Sequence, residues 1–426
     1  MSERKVFVQV GATRDGMDLY LDAARRRGMT AVLVETPDYL RWRAVLGRRD
    51  FDAYLPVQQP AEVADLVSAL RMLDRTPHLV LAGFERYVMS SYQAAQALGA
   101  LPEGHSQWFS TPYKRAQRAI MAAVAGGPVG QPRHAFAETL DDLEAAAAGL
   151  TFPVVVKPDN GGGGLGIVMV AAIKDLRYAR NTLSGLTNYD GGPFNGWIVE
   201  EFVDGTEISV QAIARDGKIE ILTMCEKLTT TEKDGPLASF REAGHIAHPG
   251  TEVDPEIYRF AEACTSAVGY RHGPFHVDMI RSGGTLQLLE IGFRLSGMRV
   301  ADLVGRTIGR DWGDDAFGAN LGEHPVPTPP APACYTGHVT LRRPDEVTAA
   351  EAVVATGEVQ MEIQRFQPPT LPPDWAVGVP RSLQSDVYRH AGALARVVVS
   401  AGDPGRVAQA LERCLAGQPE PARVNH

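Results

Sequence analysis

The feature that most constrains this chain is a run of glycines between two stretches with strand character. The segment VVVKPDNGGGGLGIVMV covers residues 154–170 and contains the pattern G-x-G-x-x-G at Gly161, Gly163 and Gly166. A dinucleotide-binding fingerprint should open a helix, whereas the β-branched run IVMVAA follows these glycines. We therefore predict a strand–loop–strand flap whose backbone N–H groups can close over phosphate oxygens.

Lys157 stands at the end of the incoming strand, four residues before the glycines. An ammonium group at this place can neutralise phosphate charge. The alternative is a flexible hairpin with an exposed lysine. However, the five glycines among residues 161–166 cost folding entropy, and this cost favours a phosphate-binding flap over a bare hairpin.

A second motif, WIVEEFVDGTEISVQ, places Glu200 and Glu201 at the end of an apolar strand and Glu207 after an Asp-Gly turn. Strand alternation puts Glu200 and Glu201 on opposite faces, so one carboxylate points inward. An inward carboxylate needs a hydrogen-bond donor, such as an amino or hydroxyl group of a ligand. An edge strand with two solvated acids is the alternative.

The third motif is FHVDMIRSGGTLQLLEIGFRLSG, residues 275–297. A hairpin centred on Gly284 would place Asp278 opposite Glu290, because each lies six residues from the centre. Two facing carboxylates are destabilising without a cation, so they are candidate Mg²⁺ ligands. Arg294 could bind a carboxylate or a transferring phosphoryl group; the alternative is a salt bridge from Arg294 to one of the two acids.

The order of predicted elements indicates mixed α/β and α+β architecture. Predicted strands and helices alternate over residues 1–108, as in a doubly wound α/β domain. From residue 153 onward most predicted elements are strands. The proline-rich stretch PVPTPPAPA, residues 325–333, predicts a joint. We thus expect a small lobe with the flap at 109–196, a large lobe with the metal site at 197–324, and a C-terminal α+β subdomain at 334–426.

Composition excludes several classes of protein. The net charge is −9, from 42 basic and 51 acidic residues, which argues against a broad nucleic-acid footprint. No run of about 18 apolar residues is present, and no signal peptide is recognised, so a cytoplasmic protein is expected. The cysteines are widely spaced, and we predict four reduced thiols: Cys225, Cys264, Cys334 and Cys414. The paired histidines lack a third ligand, so zinc is not predicted.

Taken in order, the motifs over residues 110–310 resemble those of ATP-grasp ligases. The resemblance implies an ATP-grasp fold, ATP and Mg²⁺ (or Mn²⁺) as cofactors, and specific roles for the matching positions. Phosphate contacts fall on Lys114, Lys157, Gly162, Gly163 and Gly164. Adenine contacts fall on Glu200, Glu201, Phe202 and Val203, and the ribose contact falls on Glu207. Metal ligation falls on Asp278 and Glu290, and the catalytic roles fall on Arg294 and Lys157.

One departure from the family pattern E-x-N-x-R is Gly292, which replaces the asparagine that is often a further metal ligand. Bacterial L-amino-acid ligases also vary there, and FREAGHIAHP (residues 240–249) resembles their F-x-E-x-G-H segment. Family position places four residues near an acceptor pocket: His245, Gly297, Met298 and Arg299. The departure puts a standard two-metal site in doubt more than ATP binding.

The resemblance implies a carboxylate–amine ligase. A carboxylate would attack the γ-phosphoryl group of ATP, and an amine would displace phosphate from the acyl phosphate to form an amide. Small-molecule amino acids or amines are the expected partners, with no nucleic acid or membrane and with a homodimer allowed. Two alternatives stay open: a carboxylase or purine-pathway enzyme using carboxyphosphate, and an ATP-binding protein that has lost catalysis.

Overall fold

The computed structural model describes residues 4–101, 113–124, 129–189, 191–324, 334–381, 383–384, 387 and 391–415. Its helices, in chain order, are α1 Leu19–Arg26, α2 Pro37–Val45, α3 Val63–Leu70, α4 Val88–Ala97, α5 Lys114–Ala123, α6 Leu143–Ala147, α7 Leu176–Leu183, α8 Pro255–Ala267, α9 Val300–Ile308, α10 Trp312–Asn320, α11 Pro344–Thr356 and α12 Pro404–Leu415.

The strands of the described residues form two sheets. In chain order they are β1 Val6–Val10, β2 Thr30–Glu35, β3 Ala53–Pro56, β4 Leu79–Ala82, β5 His134–Ala137, β6 Val154–Pro158, β7 Val168–Val170, β8 Trp197–Glu201, β9 Thr206–Arg215, β10 Lys218–Asp234, β11 Leu237–Pro249, β12 Gly273–Ser282, β13 Thr285–Gly292, β14 Tyr335–Leu341, β15 Gln360–Arg365 and β16 Ala395–Ala401.

The first sheet is parallel and has the order β3-β2-β1-β4. Its two central strands carry the runs VFVQV and TAVLVE, which are almost fully buried, as continuous apolar strands in parallel sheets usually are. Apolar, β-prone runs at residues 5–10, 31–35 and 77–83 predict three of these four strands. The fourth, β3, is a short and largely exposed edge strand, so it carries no apolar run that would reveal it.

The second sheet is mainly antiparallel. Its main path is β13-β12-β9-β10-β11-β7-β6-β8-β5. Strand β14 pairs with β11 and β16, and β15 pairs with β16. The glycine-rich segment lies between β6 and β7, which pair with each other in antiparallel register. The predicted strand–loop–strand arrangement is therefore confirmed, and no helix follows the glycines.

Helix α10, which follows the third motif in the chain, packs against the parallel sheet. Phe317 of α10 packs edge-on against Phe7 of β1, with ring centroids 4.9 Å apart, and Trp312 is fully buried in the same core. Such aromatic pairs contribute about 0.5–1.5 kcal/mol beyond the area that they bury. Trp312 also donates to the carbonyl of Ala212 in β9 at 3.3 Å, so the parallel sheet is held against the second sheet.

Two predicted domain boundaries, near residue 108 and at residues 325–333, lie outside the described residues. No helix in the described ranges has the length and apolarity to cross a bilayer. The four cysteines are free, and all but Cys334 are buried.

Candidate active site

The β12–β13 hairpin places two acids across from each other. Asp278 pairs with Glu290 in the antiparallel register, as predicted. Ser282 pairs with Thr285, so the turn is centred between Gly283 and Gly284 and not on Gly284 as predicted. A β-bulge between Asp278 and Met279 offsets this difference, so the two acids face each other as predicted.

Helix α5 brings Lys114 to this hairpin. Asp159 accepts a hydrogen bond from the backbone N–H of Arg115 at 2.7 Å, which ties the first turn of α5 to the end of β6. Gln117 donates to the carbonyl of Ile291 at 2.8 Å and accepts from its N–H at 3.0 Å. The Lys114 ammonium consequently lies 3.2 Å from Glu290 Oε2 and donates to the Gly161 carbonyl at 2.9 Å.

The glycine-rich loop closes one side of a small cavity. Gly163, Gly164 and Gly166 have φ values of 60°, 77° and 75°, which lie in the left-handed region that favours glycine. The wall of this cavity includes both the loop and the two charged groups just described. It is lined by Lys114, Pro158, Gly161, Gly162, Gly163, Gly164, Leu165, Ile167 and Glu290.

Lys157 belongs to a buried charge cluster beside this cavity. Its ammonium lies 2.5 Å from Glu200 Oε2, and Arg118 lies 2.7 Å from Glu200 Oε1. Burial alone would raise the pKa of Glu200, but Arg118 and Lys157 outweigh it and lower that pKa below its usual range. Burial lowers the pKa of Lys157 despite Glu200. Two cations therefore share one carboxylate, which leaves positive charge beneath the loop.

The donors that meet the Glu200 side chain in this structure are protein groups, and its contact with a nucleotide stays a prediction. Glu200 points inward, as strand alternation predicts, but its donors are Lys157 and Arg118 of the protein itself. Glu201 points outward and binds Arg133 at 2.8 Å. The two residues that follow, Phe202 and Val203, are half-buried.

The substitution Glu200→Gln tests how much this charge cluster contributes to the stability of the fold. We expect Glu200→Gln to lower the free energy of unfolding by about 3 kcal/mol, since it leaves two buried cations without their anion. The matched change Glu201→Gln should cost less than about 1 kcal/mol, because its partner Arg133 is largely exposed. Urea unfolding at pH 7 measures both, and equal losses would contradict the cluster's role.

The pH dependence of the same variant has a definite sign. A carboxylate with a lowered pKa in the folded state stabilises the fold above its unfolded pKa of about 4.3, and this contribution is lost as pH falls through the folded pKa. The stability difference between wild type and Glu200→Gln should therefore shrink only below about pH 4.

Lys227 contacts two of the predicted site acids, Glu207 and Asp278, and a third acid, Glu242, that the sequence did not indicate. Its ammonium lies 2.7 Å from Glu207, 2.6 Å from Asp278 and 3.5 Å from Glu242. Burial would lower its pKa, but these three carboxylates raise the pKa of Lys227 well above its usual value. The sequence motifs missed this lysine, whose only signal is a charge inside the long strand β10.

Arg294 contacts a different acid from those considered in the sequence. Its Nε lies 2.8 Å from Oε2 of Glu85, in the short helix Glu85–Tyr87 after β4. The alternative of a salt bridge to Asp278 or Glu290 is therefore wrong. A Cβ at Gly162 would lie 3.5 Å from Glu85, so Arg294 and Glu85 border the glycine-rich loop.

His276 accounts sterically for Gly292, the departure from the family pattern. The two residues pair across β12 and β13, and a Cβ at position 292 would lie 2.0 Å from His276 Cε1. The imidazole is held by contact of Nδ1 with the Arg294 carbonyl at 3.3 Å. The histidine ring thus fills the space that an asparagine side chain would need.

Restoring asparagine at position 292 is expected to be destabilising. Gly292→Asn should lower the free energy of unfolding by about 1–3 kcal/mol, because it overpacks a filled site. Adding His276→Ala should recover most of this loss by freeing the space. Thermal unfolding of both variants and of His276→Ala alone measures the coupling, and additive losses would contradict the steric explanation.

The four residues placed at an acceptor pocket by family position do not share the cavity under the loop. His245 is buried and lies 3.2 Å from Glu242. Met298 and Arg299 adopt φ values of 56° and 58° after Gly297, a rare conformation for two successive non-glycine residues. The Arg299 N–H donates to Asp15 at 2.9 Å, so this turn is anchored to the N-terminal sheet domain.

The acids fit a magnesium ion only with oxygen ligands from elsewhere. The described residues contain no cluster of three or more His, Cys, Asp and Glu side chains able to hold a metal. Asp278 and Glu290 supply two carboxylates, Gly292 supplies none, and each acid is paired with a lysine. Phosphate oxygens would have to complete the six-fold oxygen coordination that Mg²⁺ prefers.

Comparison with known proteins gives one family match. Residues 150–302 match the model of the ATP-grasp domain. The D-alanine–D-alanine ligase of Cupriavidus taiwanensis is 25% identical over 189 residues, which are 43% of this chain and 56% of that enzyme. The chain therefore covers little more than half of this relative.

Solved structures match almost the whole chain. An L-amino acid ligase from Bacillus licheniformis superposes with a TM-score of 0.67 at 19% identity, covering 98% of both chains. Carboxyaminoimidazole ribonucleotide synthase from Aspergillus clavatus, solved with ATP, superposes with a TM-score of 0.65 at 15% identity, covering 97% of this chain and 98% of that one. These matches confirm the predicted ATP-grasp fold.

Proposed function

We propose that this ATP-grasp protein is an ADP-forming carboxylate–amine ligase that joins amino acids, or an amino acid and a small amine, through an acyl phosphate. The observation that carries the proposal is the convergence of Lys114, the glycine-rich loop and Glu290 on one cavity. Asp278 lies across the hairpin from Glu290. This arrangement supplies cations, backbone N–H groups and metal-binding acids to a single triphosphate.

Three lysines are assigned to the phosphates. Lys114 begins helix α5, Lys157 lies in strand β6, and Lys227 lies in strand β10. Each is now paired with a carboxylate, and a phosphate would compete for the same ammonium. Bound Mg²⁺ would be held by Asp278 and Glu290 and would neutralise triphosphate charge. Positioning and charge neutralisation are what phosphoryl transfer chiefly requires.

Nucleotide recognition is assigned to the segment after β8. The Glu200 side chain is occupied by two cations, so adenine would meet the backbone of Glu201, Phe202 and Val203. Glu207 would receive the ribose hydroxyls through the oxygen that now faces Thr229 at 3.4 Å.

The substrate side is assigned to Arg294 and Glu85. A guanidinium can hold a carboxylate or the developing acyl phosphate bidentately. The Glu85 carboxylate, at salt-bridge distance from Arg294, offers a partner for an ammonium group. A site that presents both a cation and an anion beside the phosphate cavity suits a zwitterionic amino acid better than a carboxylic acid without an amino group.

A substrate matrix tests the proposal. Pairs of amino acids and amines are supplied with Mg²⁺ and ATP, released phosphate is measured, and products are identified by mass spectrometry. Amide products that depend on both substrates support the ligase. ADP release that requires bicarbonate would instead support carboxyphosphate chemistry, and ATP binding without turnover for any pair would contradict an enzyme of this class.

A further inference from the structure

A row of buried polar side chains crosses the second sheet from Lys227 in β10 to strands β14 and β16. Lys227 pairs with His245 across β10 and β11, and His245 pairs with His338 across β11 and β14. Arg396 of β16 reaches the same row. His245 is 2% exposed, and His338 and Arg396 are each 1% exposed, so side chains rather than bulk water determine where the protons lie.

The hydrogen bonds in this row have only one consistent direction. Arg396 places Nε and Nη2 at 2.9 Å and 2.6 Å from His338 Nδ1. A guanidinium can only donate, so His338 Nδ1 accepts. Burial and then the charge of Arg396 lower the pKa of His338 well below its usual value, so the ring is neutral and its one proton is on Nε2.

The same logic extends to the next ring. His338 Nε2 lies 3.1 Å from His245 Nδ1, so His245 Nδ1 accepts and the proton of this ring is on Nε2. That nitrogen lies 3.2 Å from Glu242 Oε1. Glu242 in turn lies 3.5 Å from Lys227, the lysine between Glu207 and Asp278.

We propose that Arg396 and His338 are positioning residues that hold His245 in its Nε2–H tautomer and thereby keep Glu242 charged and directed at Lys227. The opposite tautomer would turn a nitrogen lone pair toward the Glu242 carboxylate, and two acceptors at this distance repel each other. The strands from residue 334 onward therefore contribute to the active site through proton placement, although they lie outside the matched ATP-grasp segment.

Arg396 also holds the unusual turn beside the row. It forms a salt bridge with Asp302 at the start of α9 and donates to the carbonyl of Arg299 at 3.4 Å. One guanidinium thus fixes both the histidine pair and the Met298–Arg299 turn. Arg306 shares the Asp302 carboxylate but is directed to Glu362 on its other side, which makes it a matched control.

Nitrogen NMR of ¹⁵N-histidine-labelled full-length protein tests the tautomers directly. We expect His245 and His338 each to show a protonated Nε2 and an unprotonated Nδ1 at pH 7, with signals assigned through His245→Gln and His338→Gln. Arg396→Leu should convert the His245 signal to a mixture of tautomers, whereas Arg306→Leu should leave it unchanged. An Nδ1–H tautomer or a doubly protonated ring at either position in wild type would overturn the proposal.

A second pair of variants tests the functional consequence, which depends on the proposed ligase activity, and avoids the loss of a buried arginine. His338→Gln keeps an acceptor for Arg396 and a donor for His245, whereas His338→Leu keeps neither. We expect kcat/KM for the amino-acid substrate to fall about tenfold in His338→Leu and to stay near wild type in His338→Gln. Equal losses in the two variants would overturn the positioning role. Because the NMR signature needs no turnover, failure of the ligase assignment would be seen separately.

Discussion

Glu290→Gln is expected to lower kcat for ADP release at least about a hundredfold, because it removes a carboxylate that we propose as a ligand of the catalytic Mg²⁺. The fold should survive, since Glu290 is partly exposed at the surface of the cavity and glutamine can still accept from Lys114. Initial rates at saturating ATP and Mg²⁺ measure the effect, with circular dichroism and thermal unfolding as checks on the fold.

The control for this variant is Glu262→Gln, which changes an exposed acid on α8 that does not line the cavity. It should leave kcat within about twofold of wild type, as surface substitutions usually do. A Glu290→Gln enzyme with nearly normal ADP production would remove Glu290 from the metal site.

Lys157→Met is expected to raise the Kd for ATP about a hundredfold and to change amino-acid binding little, because the lysine lies beside the glycine-rich loop and not beside Arg294. Isothermal titration calorimetry measures the two affinities separately. Lys174→Met, an exposed lysine of the same region, should keep ATP affinity within about twofold of wild type.

The buried partner of Lys157 requires a second comparison. Lys157→Met leaves Glu200 with Arg118 alone, so part of any loss could come from a weakened fold. The double variant Lys157→Met/Glu200→Gln removes one cation and the anion, and it leaves the buried Arg118 guanidinium without a carboxylate partner. Urea unfolding should therefore show a lower stability for the double variant than for Lys157→Met, with the same loss of ATP affinity in both. A loss of ATP affinity that follows the loss of stability across the two variants would show that Lys157 is a structural ion-pair partner only.

The sequence predicted the parts of the site that depend on local pattern. The period of a strand and the geometry of a short glycine turn suffice to place Asp278 opposite Glu290. Likewise, β-branched residues after the glycines suffice to predict a strand and not a helix. The inward direction of Glu200 follows from alternation in the same way.

What the sequence could not predict depends on long-range register. Lys227 reaches Asp278 only because β10 and β12 both pair with β9, and nothing local to the lysine specifies that. Glu85 meets Arg294 across more than two hundred residues. Spacing alone does not show that Arg118 and Lys157 reach Glu200, because their meeting depends on how helix α5 packs against the sheet.

The departure at Gly292 illustrates the same limit. In the sequence it is a missing metal ligand, whereas in the fold it is one half of a complementary pair with His276. The histidine is sixteen residues away, and only the hairpin register brings the two together.

The proposed nucleotide site is tested most directly by a crystal structure of the protein with Mg²⁺ and a non-hydrolysable ATP analogue. We expect phosphate oxygens within hydrogen-bond distance of the Lys114 and Lys157 ammonium groups and of the glycine-rich loop, with the metal bound by Asp278 and Glu290. A triphosphate bound away from this loop, or a metal that contacts neither acid, would contradict the proposed site.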